Sequence, residues 1–125
     1  MFKTGLIIGS FYCFLTVILG AFGAHALKDL LDEYRQSIYN KAVLYQMFHA
    51  IGILVVSIIN NSFNELNLSI VIWLFTIGVL LFSGSLYMLA ITKVKWLGMI
   101  TPIGGSLFIV GWLILIIKLL KVWRI

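Results

Sequence analysis

Residues 5–26 read GLIIGSFYCFLTVILGAFGAHA, a run without a single Asp, Glu, Lys or Arg. A helix rises about 1.5 Å per residue, so about 20 apolar residues cross a bilayer core of about 30 Å. The run is therefore long enough for one crossing and too short for two. Ala24-His25-Ala26 imitates the cleavage site of a secretory signal, but the apolar run exceeds a usual signal core of about 7–15 residues.

Three further uncharged stretches follow, from Lys41 to Glu65, from Glu65 to Lys93 and from Lys95 to Lys118. Every backbone polar group in lipid must be paired internally, which leaves helices or a closed barrel, and barrel strands alternate over about ten residues. We therefore predict an all-α integral membrane protein, a single domain over residues 1–125 that forms a four-transmembrane-helix bundle. Its helices are expected near 5–26, 42–62, 68–91 and 98–119.

The composition supports a membrane protein. Hydrophobic residues make up 62% of the 125 residues and charged residues 10%, against about 45–50% and 25% in soluble domains. Cys13 is the only cysteine, which excludes a disulfide framework. The pI of 9.6 does not indicate nucleic-acid binding, because the basic residues sit near helix ends and meet anionic headgroups. We expect a multi-pass protein of the cell (plasma or inner) membrane with membrane lipids as partners.

Four crossings place both termini on one side of the membrane, which we call side A. The opposite surface is side B. Basic residues number four on side A and five on side B, so the positive-inside rule leaves the orientation open.

The segment between helices 1 and 2 is the most polar part of the chain. Its apolar residues recur at helical spacing, which predicts a short amphipathic interfacial helix over 28–39 on side B. A simple connector is the alternative. The helix would turn Asp32 and Arg35 toward water. The side chains that would face the membrane or the bundle are Leu30, Leu31, Tyr34 and Ile38.

Small residues let membrane helices approach closely. Helix 1 carries a stripe of them at steps of three or four, and we expect it to be the packing seam of the bundle. Its members are Gly5, Gly9, Cys13, Thr16, Gly20 and Gly23. Helix 4 offers a second small face at Gly104 and Gly111. This helix starts either at Pro102, with Thr101 as its N-cap, or near Trp96, with a kink at Pro102.

The polar side chains of the predicted helices gather in the side-B half of the membrane, where they form a candidate polar cluster. Such residues are either hydrogen bonds between helices without a further role or a binding site for a lipid headgroup or small molecule. We expect a neutral His49 that points into the bundle and bonds to helix 3 or helix 4. The cluster comprises His25, Tyr45, Gln46, His49, Ser83, Ser85, Tyr87 and Thr101.

Motifs for catalysis or metal binding are absent from the sequence. It contains no H-E-x-x-H, no G-x-S-x-G, no phosphate loop, and no Asp or Glu within the four predicted spans. Two histidines without a membrane carboxylate make a poor zinc site. We therefore expect no enzyme, no catalytic residue, no metal and no cofactor.

Four motifs in order resemble the domain-of-unknown-function 423 family of small bacterial membrane proteins, whose animal relatives are called transmembrane protein 256. They are GAFGAHALK at 20–28, AVLYQMFHA at 42–50, LFSGSLY at 81–87 and ITPIGG at 100–105, the last followed by Gly111-Trp112. The resemblance implies a four-helix membrane protein of uncharacterised function and brings no functional residues with it. Tyr39 stands where the family pattern leads us to expect tryptophan, an exchange that keeps an interfacial aromatic.

Two functions follow as hypotheses. The first is a non-enzymatic membrane module, with homo-oligomers possible, that binds lipid or a membrane partner through the polar cluster. The alternative is an oligomeric transporter or channel for a small solute, which needs polar groups through both leaflets. An apolar seal in the side-A half of the bundle would favour the first.

Overall fold

A computed structural model describes residues 1–122, and all the regular structure in that range is helical, which confirms the predicted all-α fold. The helices are α1 (Phe2–His25), α2 (Glu33–Ser62), α3 (Ser69–Thr92) and α4 (Thr101–Val122). Short 3₁₀ turns at Asn64–Leu66 and Lys95–Met99 precede α3 and α4. Within residues 1–122, four helical segments are long and apolar enough to cross a membrane.

The helices pack in chain order, α1 on α2, α2 on α3 and α3 on α4. Two hydrogen bonds join helices that are not consecutive in the chain. The Tyr12 hydroxyl of α1 donates to the Thr76 carbonyl of α3 at 2.8 Å, and Trp112 of α4 donates to His49 of α2 at 3.0 Å. Within residues 1–122, α1 and α4 share no comparable interface. The pair α2–α3 is therefore the centre of the bundle, and α1 and α4 flank it.

The side-A half of the centre is filled by apolar side chains. The hydroxyls of Ser57 and Thr76 are buried there, and each donates to the carbonyl four residues earlier in its own helix, at 2.7 Å. These bonds satisfy the hydroxyls without opening a polar path. The surrounding buried residues are Ile53, Val56, Val71, Ile72, Phe75 and Leu115.

The glycines of α1 lie against α2 at different distances. A Cβ built at Gly9 would lie 2.7 Å from Cδ2 of Leu54. Cβ atoms at Gly5 and Gly23 would overlap Ser57 and Tyr39 respectively. At Gly20, in contrast, a Cβ would meet Val43 at an ordinary 3.5 Å. Helices α1 and α2 therefore approach each other most closely at Gly5, Gly9 and Gly23.

The remaining members of the small-residue set have different surroundings. Cys13 is half-buried beside the core, and the Thr16 hydroxyl donates to the Tyr12 carbonyl of its own helix at 2.7 Å. In α4, a Cβ at Gly104 would overlap the backbone of Phe82, and one at Gly111 would lie 2.6 Å from the Phe75 ring. Both glycines of this face thus pack against α3.

The predicted interfacial helix over 28–39 is wrong. Turns occupy residues 26–31, and α2 begins at Glu33 and continues without interruption to Ser62. Asp32 is its N-cap and accepts a bond from the Arg35 backbone N–H at 2.8 Å. The helix does not break near 40 because Ile38 and Ala42 belong to one buried cluster with Leu86 of α3.

Two side chains of this segment lie elsewhere than expected. Arg35 does not point freely to water, because its guanidinium donates to the Ala90 carbonyl at the end of α3 and to the Leu30 carbonyl. Tyr39 is not an interfacial aromatic. It is 1% exposed, and its hydroxyl donates to the Leu19 carbonyl of α1. Both residues tie α2 to its neighbours.

The start of α4 matches neither alternative in full, because Thr101 is the first residue of the helix and not its N-cap. A separate 3₁₀ turn at Lys95–Met99 precedes a helix that begins at Thr101. The Ile100 carbonyl accepts the Gly104 N–H at 3.3 Å. The Thr101 hydroxyl bonds to the Ser85 hydroxyl of α3, and so it joins two helices.

Candidate functional site

His49 lies midway along α2, is 3% exposed and points into the bundle. Its Nδ1 lies 2.9 Å from the Tyr45 carbonyl, and its Nε2 lies 3.0 Å from Nε1 of Trp112. A carbonyl only accepts and an indole N–H only donates, so Nδ1 carries the hydrogen and Nε2 accepts. The ring is therefore neutral and bonded to helix 4, as expected. Its partner is Trp112.

Aromatic side chains surround the same imidazole. The Phe108 ring is stacked on it at 3.5 Å between centroids and 6° between planes. Phe75 and Phe48 meet it edge-on at 5.1 and 5.2 Å. Both nitrogens and one face of the ring are thus occupied by other groups of the protein, which leaves His49 without a free polar atom.

A groove of about 590 Å³ lies beside this ring, between α2 and α4, with Phe82 of α3 also in its wall. Leu44, Phe48 and Ile109 at its edges are more than half exposed. The groove lies at the level of His49, within a helix that is long and apolar enough to span a membrane. Its lining consists of Leu44, Tyr45, Phe48, His49, Phe82, Gly105, Phe108, Ile109 and Trp112.

Gln46 links three helices away from the groove. The Tyr87 hydroxyl of α3 donates to its Oε1 at 2.7 Å, and its Nε2 donates to the Tyr12 carbonyl of α1 at 3.0 Å. Gln46 is 3% exposed. The Gln46 amide therefore joins α2 to both α1 and α3 by hydrogen bonds.

The other members of the predicted cluster do not join His49 in one hydrogen-bond network. Ser83 donates to the Ala42 carbonyl at 2.7 Å, and Ser85 pairs with Thr101 at 2.5 Å. His25 is exposed at the end of α1 and takes no part in these bonds. Of the eight residues, only Tyr45 and His49 line the groove. A ligand-binding role for the whole set stays a prediction.

Sequence reasoning missed most of the groove, because it searched for polar residues and the walls are apolar. One wall residue missed in this way is Trp112, which donates the bond that orients His49. One signal could have found it. A tryptophan in mid-span carries an N–H that needs an acceptor, and His49 was the polar residue at comparable depth. In the described part of the chain, no three His, Cys, Asp or Glu side chains are grouped to hold a metal.

Known proteins are similar to this chain over nearly its full length. The family model described as "Protein of unknown function (DUF423)" matches residues 19–105. A UPF0382 membrane protein of Staphylococcus epidermidis is 48% identical over 95% of this chain and 97% of its own length. UPF0382 membrane protein YwdK of Bacillus subtilis is 37% identical over 95% of this chain and 98% of its own length. No solved structure is significantly similar to the chain.

Proposed function

Because this chain belongs to the DUF423 family of membrane proteins of unknown function, we propose that it is a non-enzymatic, multi-pass protein of the cell membrane that binds a membrane lipid. The lipid would place a hydrocarbon chain in the groove between α2 and α4. The observation that carries the proposal is this lateral groove beside His49.

The size and position of the groove suit a lipid chain. Its 590 Å³ falls within the range of about 300–1,000 Å³ for small-molecule sites. In a bilayer, the opening past Leu44 and Ile109 would be in contact with acyl chains, so a chain could enter without crossing water. Alkyl groups gain dispersion energy against close-packed aromatic walls.

The chemistry of the wall also favours hydrocarbon. The polar atoms of the His49 ring and the indole N–H of Trp112 are already paired with each other or with the backbone. A polar solute would have to give up water and would find only the Tyr45 hydroxyl as a further side-chain partner in the lining, which is unfavourable. An apolar chain has no such requirement.

The alternative of an oligomeric transporter or channel has less support. The side-A half of the bundle centre is filled by residues such as Ile53, Ile72 and Phe75, all fully buried. Any conduit would have to form between copies of the chain. The small-residue faces of α1 and α4 are used within the bundle, against α2 and α3.

Native mass spectrometry from a gentle detergent would test the proposal, with Gly105→Leu as the groove-filling variant. A Cβ at Gly105 meets Phe82 at an ordinary 3.6 Å, so the substitution adds bulk inside the groove with little strain. Gly84→Leu is the matched control, because a Cβ at Gly84 meets nothing within 4 Å and Gly84 is not part of the lining.

We expect lipid to be retained by the wild type and by Gly84→Leu, and about tenfold weaker binding by Gly105→Leu. Thermal unfolding in detergent would establish that both variants are folded. Equal lipid binding by all three proteins would contradict the proposal. The same spectra report the oligomeric state, and channel-like assemblies without retained lipid would favour the alternative.

A further inference from the structure

A second pocket, of about 460 Å³, lies at side B, where the start of α2, the end of α3 and the 3₁₀ turn before α4 meet. Unlike the groove, it is lined by charged residues as well as apolar ones. At this position it would face the headgroup layer of a bilayer. The lining residues are Asp32, Tyr34, Arg35, Ile38, Leu89, Lys93, Lys95 and Gly98.

The pocket carries three cationic side chains and one carboxylate. Asp32 is paired with Arg35, at 2.8 Å to its backbone N–H and 3.5 Å to its Nε. The other guanidinium nitrogens of Arg35 donate to the carbonyls of Ala90 and Leu30. Within residues 1–122 this is the only ion pair, so Lys93 and Lys95 give the pocket a net positive charge.

The pocket and the groove lie along the same face of the central helices. Tyr34 and Ile38 line the pocket, and Tyr45 and His49 line the groove. At 100° per residue these four share one side of α2. In α3, Leu89 of the pocket and Phe82 of the groove are two turns apart on one side. From Ile38 to Tyr45 the helix rises about 10 Å.

This arrangement matches the distribution of polarity in a phospholipid. We infer that the pocket and the groove hold one anionic glycerophospholipid, with its phosphodiester against Lys93 and Lys95 and one acyl chain beside His49. The inference rests on the proposed function and names the class of its ligand. Basic pockets between membrane helices bind anionic headgroups by charge, and lysine ammonium groups bind phosphate as point charges.

The test compares two lipids with identical acyl chains, phosphatidylglycerol and phosphatidylcholine, titrated onto the delipidated protein and measured by native mass spectrometry. The pocket variant is Lys93→Gln/Lys95→Gln. The matched control is Lys3→Gln/Lys28→Gln, which removes the same charge from exposed residues outside the pocket and the groove. Unfolding temperatures in a neutral detergent establish that each protein is folded.

We expect the wild type and the control to prefer phosphatidylglycerol, and the pocket variant to lose that preference by about tenfold. Phosphatidylcholine binding should fall much less, because its choline ammonium offsets the charge of its own phosphodiester and its acyl chain still enters the groove. A wild type that binds both lipids equally, or a pocket variant with an undiminished preference, would overturn the headgroup site. So would displacement of phosphatidylglycerol by inorganic phosphate, which would assign the pocket to a free anion.

Gly105→Leu separates this inference from the proposed function. It should weaken both lipids equally, whereas the lysine variant should weaken phosphatidylglycerol more than phosphatidylcholine. If Gly105→Leu weakens binding of both lipids and the lysine variant changes the binding of neither, the lipid site in the groove is supported and the headgroup site is contradicted. If Gly105→Leu changes neither lipid, the proposed function fails, and the placement of a single lipid across both sites fails with it.

Discussion

Gly104 of α4 lies directly against the backbone of Phe82 in α3, with no room for a methyl group between them. A Cβ there would overlap the Phe82 nitrogen and lie 2.8 Å from its Cα. The obstacle is backbone, so it cannot move aside as a flexible side chain could. The next residue, Gly105, has ordinary contact distances.

We therefore expect opposite results from the same substitution at adjacent positions. Gly104→Ala should destabilise the protein by about 1–3 kcal/mol, because the two helices must separate. Gly105→Ala should be neutral or stabilise by up to about 1 kcal/mol, since alanine loses less backbone entropy than glycine. Unfolding titrations in mixed micelles measure both free energies. Equal changes at the two positions would contradict the close contact.

The Trp112–His49 hydrogen bond predicts an order among substitutions of His49. His49→Leu removes the acceptor and should cost about 1–2 kcal/mol, because it leaves the indole N–H unpaired. His49→Asp should cost more, since it places a carboxylate among aromatic rings in mid-span. A double-mutant cycle of His49→Leu with Trp112→Phe should give a coupling of about 0.6 kcal/mol or more. If His49→Asp leaves the stability unchanged, the side chain at position 49 is not buried in the bundle.

Lys118 fixes the side-A turn, because its Nζ donates to the carbonyls of Leu66 at 3.0 Å and Asn67 at 2.7 Å. Lys118→Met keeps the length of the side chain and removes these bonds. We expect it to destabilise the protein by about 1.5–3 kcal/mol. Lys121→Met on the same helix, at an exposed position, is the matched control and should change little. Similar effects of both would mean that the turn is not held by Lys118.

Asp32 predicts a pH dependence at side B. The backbone N–H of Arg35, with the charges of Arg35 and Lys93, holds the pKa of Asp32 below its usual 3.8. A folded-state pKa below the unfolded one means that the cap stabilises the protein above the unfolded pKa and that this contribution disappears as pH falls through the folded pKa. Asp32→Ala should therefore lower the melting temperature near neutral pH.

The difference between wild type and Asp32→Ala should shrink as pH falls below about 4. Asp32→Asn is the control, because an amide oxygen still accepts the Arg35 N–H and does not titrate. A difference between wild type and Asp32→Ala that stays constant down to about pH 3 would show that the carboxylate does not cap α2.

The spans could be predicted from the sequence because charge is costly in lipid, so Lys41, Glu65 and Lys93 mark where helices can leave the membrane. The start of α2 could not be predicted in this way. A charged residue such as Lys41 marks where a helix leaves the hydrocarbon region, but it does not end a helix. Only the packing of Ile38 against α3 shows that α2 is continuous from Glu33.

The site was harder to predict than the fold. His49 was correctly expected in the interior, because an unpaired polar group in lipid is unfavourable, and Gln46 and Ser83 are buried as well. Their partners could not be predicted, since Gln46 and Ser83 bond to backbone carbonyls that every residue has. The groove depends on how far α2 and α4 stand apart, which no single-residue pattern encodes.

The fixed tautomer of His49 has a consequence for an energised membrane. A histidine in mid-bilayer could let protons leak, if one nitrogen took up a proton and the other released one. Here the lone pair of Nε2 is held by the Trp112 N–H, and the Nδ1 hydrogen is held by a backbone carbonyl. Passing a proton would require both bonds to break and the ring to flip among stacked aromatics. In a membrane that holds a proton gradient, these contacts would oppose proton transfer through the imidazole.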